Sequence, residues 1–140
     1  ERKKLEKQAS KGIKQKQIFF IGEVYDNYIA GELLFSSALC VSPGNVGLTA
    51  IHSLSFGTPV LTHNNFDNQM PEVQAINEGE NGGFFVENDL DDLIKKIEFF
   101  CLKNQNISKD KCREVITKFY NPNYMFQTFK RLISNNNPLI

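Results

Sequence analysis

The chain has 140 residues, 41% hydrophobic and 23% charged, and its sixteen basic and sixteen acidic residues cancel to a formal net charge of zero. That length suits one domain on the usual scale of roughly 100–200 residues each, able to bury about two-thirds of its unfolded surface. Zero net charge excludes the basic footprint of a nucleic-acid binder, the three cysteines form no metal-like pair, and no apolar segment approaches the ~20 residues of a membrane span.

Residues 1–11 place Leu5 and Ala9 four apart among charges, which predicts a helix stopped by Gly12. The basic residues Arg2, Lys3, Lys4, Lys7, Lys11, Lys14 and Lys16, offset by Glu1 and Glu6, read as a solvated face. A patch facing a membrane or another domain is the other reading. Gln17-Ile-Phe-Phe-Ile21 is a short continuous apolar run ending at Gly22, the pattern of a strand buried on both faces of a parallel sheet. Helical spacing returns over 26–38, with Ile29, Leu33, Leu34 and Ser37 on one side.

Ala38-Leu-Cys-Val41 predicts a second strand, with Cys40 in the core, closed by Ser42, Pro43 and Gly44. Asn45 is expected to cap a helix running to about Phe56, whose inward positions are Val46, Ala50, Ser53 and Leu54, with Gly57 as its stop. Thr58-Pro-Val-Leu-Thr62 is a third strand, with Pro59 at its start, where a missing N–H is tolerated. A polar loop follows (His63, Asn64, Asn65, Asp67, Asn68, Gln69), then a short helix over 71–77 and a glycine-rich turn over 79–83. Gly83-Phe-Phe-Val86 is the fourth strand, Asn88 or Asp89 caps a helix to about Lys103, and two further helices span roughly 108–119 and 122–134.

Strands alternating with helices over short loops imply an α/β fold with a parallel sheet and right-handed crossovers. Such sheets bind ligands beyond the carboxyl ends of their strands. Those ends are Gly22-Glu23-Val24, Ser42 to Asn45, and His63 to Gln69. The segment from Val41 to Val60 reads as strand, glycine-containing loop, helix, glycine stop and strand. Gly44 and Gly47 permit a ligand to approach the backbone at a helix N-terminus, where unpaired amides and the positive dipole end favour phosphate. On the residues alone, a tight turn between strand and helix explains both glycines more readily than a ligand does. Neither a Rossmann nor a P-loop glycine spacing is present.

Pro43, the Gly44-x-x-Gly47-Leu48 helix start and Gly57-Thr-Pro-Val60 together resemble the core motif of family 4 glycosyltransferases of the GT-B fold. Gly22 after the apolar run, Pro71-Glu72, and Gly79-Glu80-Asn81-Gly82 resemble further steps of the same family, so the likeness covers about 13–104. The resemblance implies a Rossmann-like parallel-sheet domain, the C-terminal half of a GT-B fold, binding a nucleoside-diphosphate sugar, with UDP the commonest nucleotide, for retaining transfer to a glycan or lipid-linked acceptor. It implies donor contacts at Pro43, Gly44, Asn45, Val46, Gly47, Leu48 and Thr49, base contacts at Gly22, Glu23 and Val24, and a pocket role for Glu72.

The family's usual pair of glutamates would fall on Gly44 and His52, so the sugar contact passes to backbone and the ribose contact to an imidazole. A neutral imidazole offers one acceptor and one donor. His52 bonded within its own helix, Thr49 bonded back to helix carbonyls, and Glu72 as a carboxylate near a helix start are the alternative readings. The polar loop 64–69 reads as an ordinary loop more readily than as a sugar contact.

The resemblance also implies that the sequence begins after a strand–helix–strand segment bearing a diphosphate-neutralising arginine and lysine, and lacks the acceptor domain. Residues 1–140 are therefore expected to form a partial domain, inactive alone and self-associating along an exposed sheet edge. No metal or cofactor is expected. The thiol usage suits the cytoplasm, with peripheral membrane association of the parent protein. A non-catalytic nucleotide-sugar module, or an unrelated phosphate-binding α/β domain, are the alternatives.

Overall fold

The computed structural model describes residues 1–103 and 107–135. The chain divides into two compact units, Glu1–Ala30 and Gly31–Ile140.

In the first unit, helices α1 (Arg2–Gln8) and α2 (Ser10–Lys14) replace the single predicted helix, with the break at Ala9. Gly12 lies inside α2 and does not stop it. A Cβ at Gly12 would stand 2.6 Å from Ile18 Cδ1, so the glycine makes room for the chain folding back, and its carbonyl accepts from the Gln17 and Ile18 amides. Residues 18–21 form no strand; Ile18, Phe19 and Ile21 are 42%, 70% and 59% exposed. A strand exists only through its ladder, and this run has no partner among the described residues. The carbonyl of Phe20 instead accepts from Arg2 Nη2 at 3.1 Å. The basic face of α1 is solvated as expected, with Arg2 and Glu6 paired at 2.8 Å.

Helix α3 (Asn27–Ser36) begins at Asp26, whose Oδ1 accepts from the amides of Tyr28 and Ile29 at 2.8 and 3.0 Å. Of the predicted inward set only Leu34 is half-buried; Ile29, Leu33 and Ser37 are exposed, and Gly31 is the buried residue. The cause is the approach of the Phe56 ring, whose Cε1 and Cζ stand 2.7 Å from where a Cβ on Gly31 would be.

The second unit is built on a three-stranded parallel sheet, β1 (Cys40–Ser42), β2 (Val60–His63) and β3 (Gly82–Phe85), in that spatial order. The register pairs Ser42 with Thr62 and Thr62 with Phe84, which aligns the carboxyl ends of all three strands. The central strand β2 is buried throughout, and successive residues serve opposite faces. Val60 joins a cluster with Val46, Ala50, Leu54, Val73, Ala75, Ile76, Cys112 and Val115, whereas Leu61 joins Phe85 and Phe100. Helices α4 (Leu48–Ser55), α5 (Leu90–Glu98), α6 (Lys109–Phe119) and α7 (Pro122–Asn135) complete the unit. The first cluster is supplied by α4 and α6, and Leu93 and Ile97 of α5 pack on the second. This is the expected α/β Rossmann-like layering, consistent with the C-terminal half of a GT-B fold.

Three boundaries differ from expectation. The cap of α4 is Gly47, without a side-chain bond, so Asn45 does not cap it. The connection from β2 to β3 is made by 3₁₀ turns, Phe66–Asn68 and Pro71–Ala75, and not by an α-helix. Helix α5 gives way after Glu98 to a π-helical turn, Phe99–Lys103, that carries the core residue Phe100. Asp89 caps α5, accepting from the Asp92 amide at 2.9 Å, and Ser108 caps α6. Cys40 is only partly buried; Cys112 is the fully buried thiol, and burial pushes its pKa up to about 11.

Candidate functional site

The carboxyl ends of β1, β2 and β3 lie level, and the loops that leave them form one edge of the second unit. After β1 come Pro43, Gly44 and Asn45, all exposed. Val46 then turns inward and is fully buried in the core. Its amide donates to Gln69 Oε1 at 2.7 Å. That bond explains the late start of α4: residues 43–46 are held as a loop by a side chain 23 positions away, and helical geometry begins only past Gly47.

The backbone N–H groups of Gly47, Leu48 and Thr49 have no acceptor among the described residues. Helix starts leave such donors unpaired, and the helix dipole places partial positive charge on them. Gly44 and Gly47 both lack positive φ. A Cβ on Gly44 would meet nothing within 4 Å, and one on Gly47 only the Met70 side chain at 3.8 Å. Space outside the chain therefore lies against both. Leu48, Thr49 and His52 are exposed along the same helix, with Leu48 64% exposed.

Gln69 is the organising residue that sequence reasoning passed over. Its Nε2 donates to Thr62 Oγ1 and to the His63 carbonyl, both at 3.0 Å, and the Thr62 hydroxyl donates to the Gly44 carbonyl at 3.3 Å. The loop after β1 is thus pinned to β2 at both Gly44 and Val46. His63, expected in the polar loop, is the last residue of β2 and is buried. Its Nδ1 accepts from the Asn65 amide at 3.3 Å, and its Nε2 stands 3.9 Å from Glu87 Oε1. Asn65 Nδ2 in turn donates to Glu87 Oε2 at 2.7 Å. The only signal for these residues was their position at strand ends.

Of the predicted site residues, the second unit brings together Pro43 to Thr49 and His52 on one strand–loop–helix segment. Glu72 is half-buried in the 3₁₀ turn that leads from the Gln69 loop. Gly22, Glu23 and Val24 belong to the first unit, where Glu23 Oε2 accepts from the Tyr25 hydroxyl at 2.5 Å and that bond raises the Tyr25 pKa.

A family model described as glycosyl transferases group 1 matches residues 1–119. The chain belongs to this family. No curated protein and no solved structure matches it. The family match spans helices α1 to α6 and contains the whole of the edge just described. A group 1 glycosyltransferase acts in glycosyl transfer, which calls for a nucleotide-sugar donor and an acceptor. No helix among the described residues is long and apolar enough to cross a membrane. One electrostatic feature of this glycosyltransferase stands out: from residue 17 to residue 94 the sequence has no lysine and no arginine.

Proposed function

We propose that the loop Pro43–Gly47 and the first turn of α4 hold the diphosphate of a nucleoside-diphosphate sugar. The observation that carries this reading is the set of unpaired amides at Gly47, Leu48 and Thr49 beside open space at Gly44. Several amides aimed at one anion act together, each charge–dipole contact contributing ~0.3–1 kcal/mol and up to ~2 kcal/mol where partly buried. Val46 serves as the buried anchor of the loop, since its own amide is taken by Gln69. His52, exposed one turn further along α4, faces the ribose, where a neutral imidazole makes one bond in place of the two a carboxylate accepts. Glu72 belongs to the wall of the same pocket.

The finer features of this reading come from the family 4 likeness: UDP as the nucleotide, retention at the anomeric carbon, a glycan or lipid-linked acceptor, and action of the parent protein in polysaccharide biosynthesis at the cytoplasmic side of a membrane. The lack of any cationic side chain in residues 17–94 divides the labour. Stabilising charge on the leaving group is usually the largest catalytic contribution, so this stretch holds the donor and the cations that drive its departure act from outside it. On the same family likeness, residues 1–140 act as a donor-binding domain that does not complete transfer by itself.

Titration of the chain with UDP, GDP, ADP and inorganic pyrophosphate, with His52→Ala in parallel, tests the reading. A preference for one nucleotide over pyrophosphate, weakened by His52→Ala, is expected. Equal binding of all four with no effect of the substitution would reduce the site to a general phosphate loop.

A second reading, a nucleotide-sugar binding module without transfer, is favoured by glycine and histidine at positions 44 and 52, where the resembled motif has glutamates. Sugar transfer by the full-length protein separates the two.

A further inference from the structure

We infer that Gln69 is a positioning residue for donor binding, a role that rests on the diphosphate reading of the loop Pro43–Gly47. Its carboxamide makes three bonds of complementary sense. Oε1 accepts from the Val46 amide, and Nε2 donates to the Thr62 hydroxyl and to the His63 carbonyl. The Thr62 hydroxyl passes the pattern on by donating to the Gly44 carbonyl. A donor faces an acceptor at every step. The pattern needs an amide: a carboxylate has no N–H for Thr62 and His63, and an ammonium has no acceptor for Val46.

The strut has two consequences for the loop. It draws the Val46 amide inward, which keeps that group away from a ligand and ends the loop at Gly47. It also turns the Gly44 carbonyl towards β2, so its negative end points away from the face an anion would approach. Without Gln69, the Val46 amide and the Gly44 carbonyl would seek other partners. Residues 43–47 would then sample arrangements in which the Gly47, Leu48 and Thr49 amides no longer converge. Holding those donors in place before the ligand arrives removes an ordering cost from binding.

The test compares the wild-type chain with Gln69→Leu and Gln69→Glu, following the amide resonances of Val46 to Thr49 and the dissociation constant for UDP. Wild type is expected to show UDP-dependent shifts at Gly47, Leu48 and Thr49. Gln69→Leu is expected to keep a native spectrum elsewhere and to bind UDP about tenfold more weakly, equivalent to ~1.4 kcal/mol. Gln69→Glu is expected to recover towards wild-type affinity as pH falls through the carboxyl range of about 4–6, because the protonated group again donates. Expressed as a ratio to wild type at each pH, the effect isolates the introduced carboxyl, since the two proteins share every other side chain. A merely structural role would lower the melting temperature and leave the affinity of the folded chain unchanged. Wild-type affinity in folded Gln69→Leu, or a pH-independent ratio for Gln69→Glu, overturns the inference while leaving the site standing. Absence of shifts at Gly47 to Thr49 in wild type overturns the site itself and the inference with it. Should Gln69→Leu fail to fold, the pH ratio of Gln69→Glu decides alone.

Discussion

Gly82 of β3 and Val60 of β2 are register partners in a parallel pair, and the Val60 carbonyl fills the place where a Cβ on Gly82 would stand. Ile76 Cγ2 closes the same space from the core side, 2.8 Å from that point. Neither neighbour can yield: one is backbone in the central strand and the other is packed in the main cluster. Gly82→Ala is therefore expected to destabilise the fold by about 3 kcal/mol, the upper part of the range for overpacking. Urea denaturation measures it, and a loss below about 1 kcal/mol would mean that the sheet shifts more easily than this contact implies.

Gly44 is the opposite case, because nothing lies within 4 Å of the corresponding point and its φ is not positive. Gly44→Ala is expected to leave stability within about 0.5 kcal/mol of wild type. Its methyl group would stand on the loop assigned to the diphosphate, so UDP affinity is expected to fall about tenfold. Calorimetric titration alongside denaturation separates the two effects, and unchanged affinity would count against the loop as the ligand face.

The start of α5 depends on Asp89, whose carboxylate accepts from the Asp92 amide, while Asp92 Oδ2 reaches the Val86 amide at 2.8 Å. Asp89→Ala is expected to cost about 1 kcal/mol, and Asp89→Asn much less, since both side chains cap comparably. Equal losses in the two variants, read from denaturation midpoints, would indicate that charge and not capping sets the effect.

Burial holds the Cys112 thiol neutral to about pH 11, against an ordinary value of 9.0. The folded state therefore keeps this proton where the unfolded chain releases it. The difference in bound protons favours unfolding as pH rises. The contribution is intact below about pH 9 and is lost progressively towards pH 11. Wild type should lose stability over that window more steeply than Cys112→Ala, measured by urea denaturation at each pH. Thiol reagents at mild pH should modify exposed Cys101 well before Cys112, and comparable rates would contradict the burial.

Much of the second unit was legible in the sequence. The spacing of Ala50, Ser53 and Leu54 marked the buried face of α4, and all three are buried, as is Val46 in the loop before it. The apolar runs around Cys40, Val60 and Phe84 became the three strands, each displaced by a residue or two from its predicted bounds. These signals depend on neighbours within one turn or one pleat, so the pattern of residue types carries them. The turn from β1 into α4 was also legible, because Pro43, Gly44 and Gly47 separate the two elements.

What the sequence did not disclose needed the chain to return on itself. Nothing local distinguishes Gln69 from Asn64 or Asn68, yet its bond to Val46 decides where α4 begins. Gly12 resembled a helix stop, and only the return of Ile18 shows that it is a packing glycine inside α2. The apolar run 18–21 has a strand's composition without a strand's partner. Sequence by itself determined the order of strands and helices in the second unit, a cap for α5 at Asn88 or Asp89, and the family to which the chain belongs. Tertiary structure alone decided strand pairing, the first turn of α4 and the clamp that shapes the loop before it. The physical reason is range: propensity and capping act over about four residues, whereas a ladder or a side-chain strut exists only once distant segments have met.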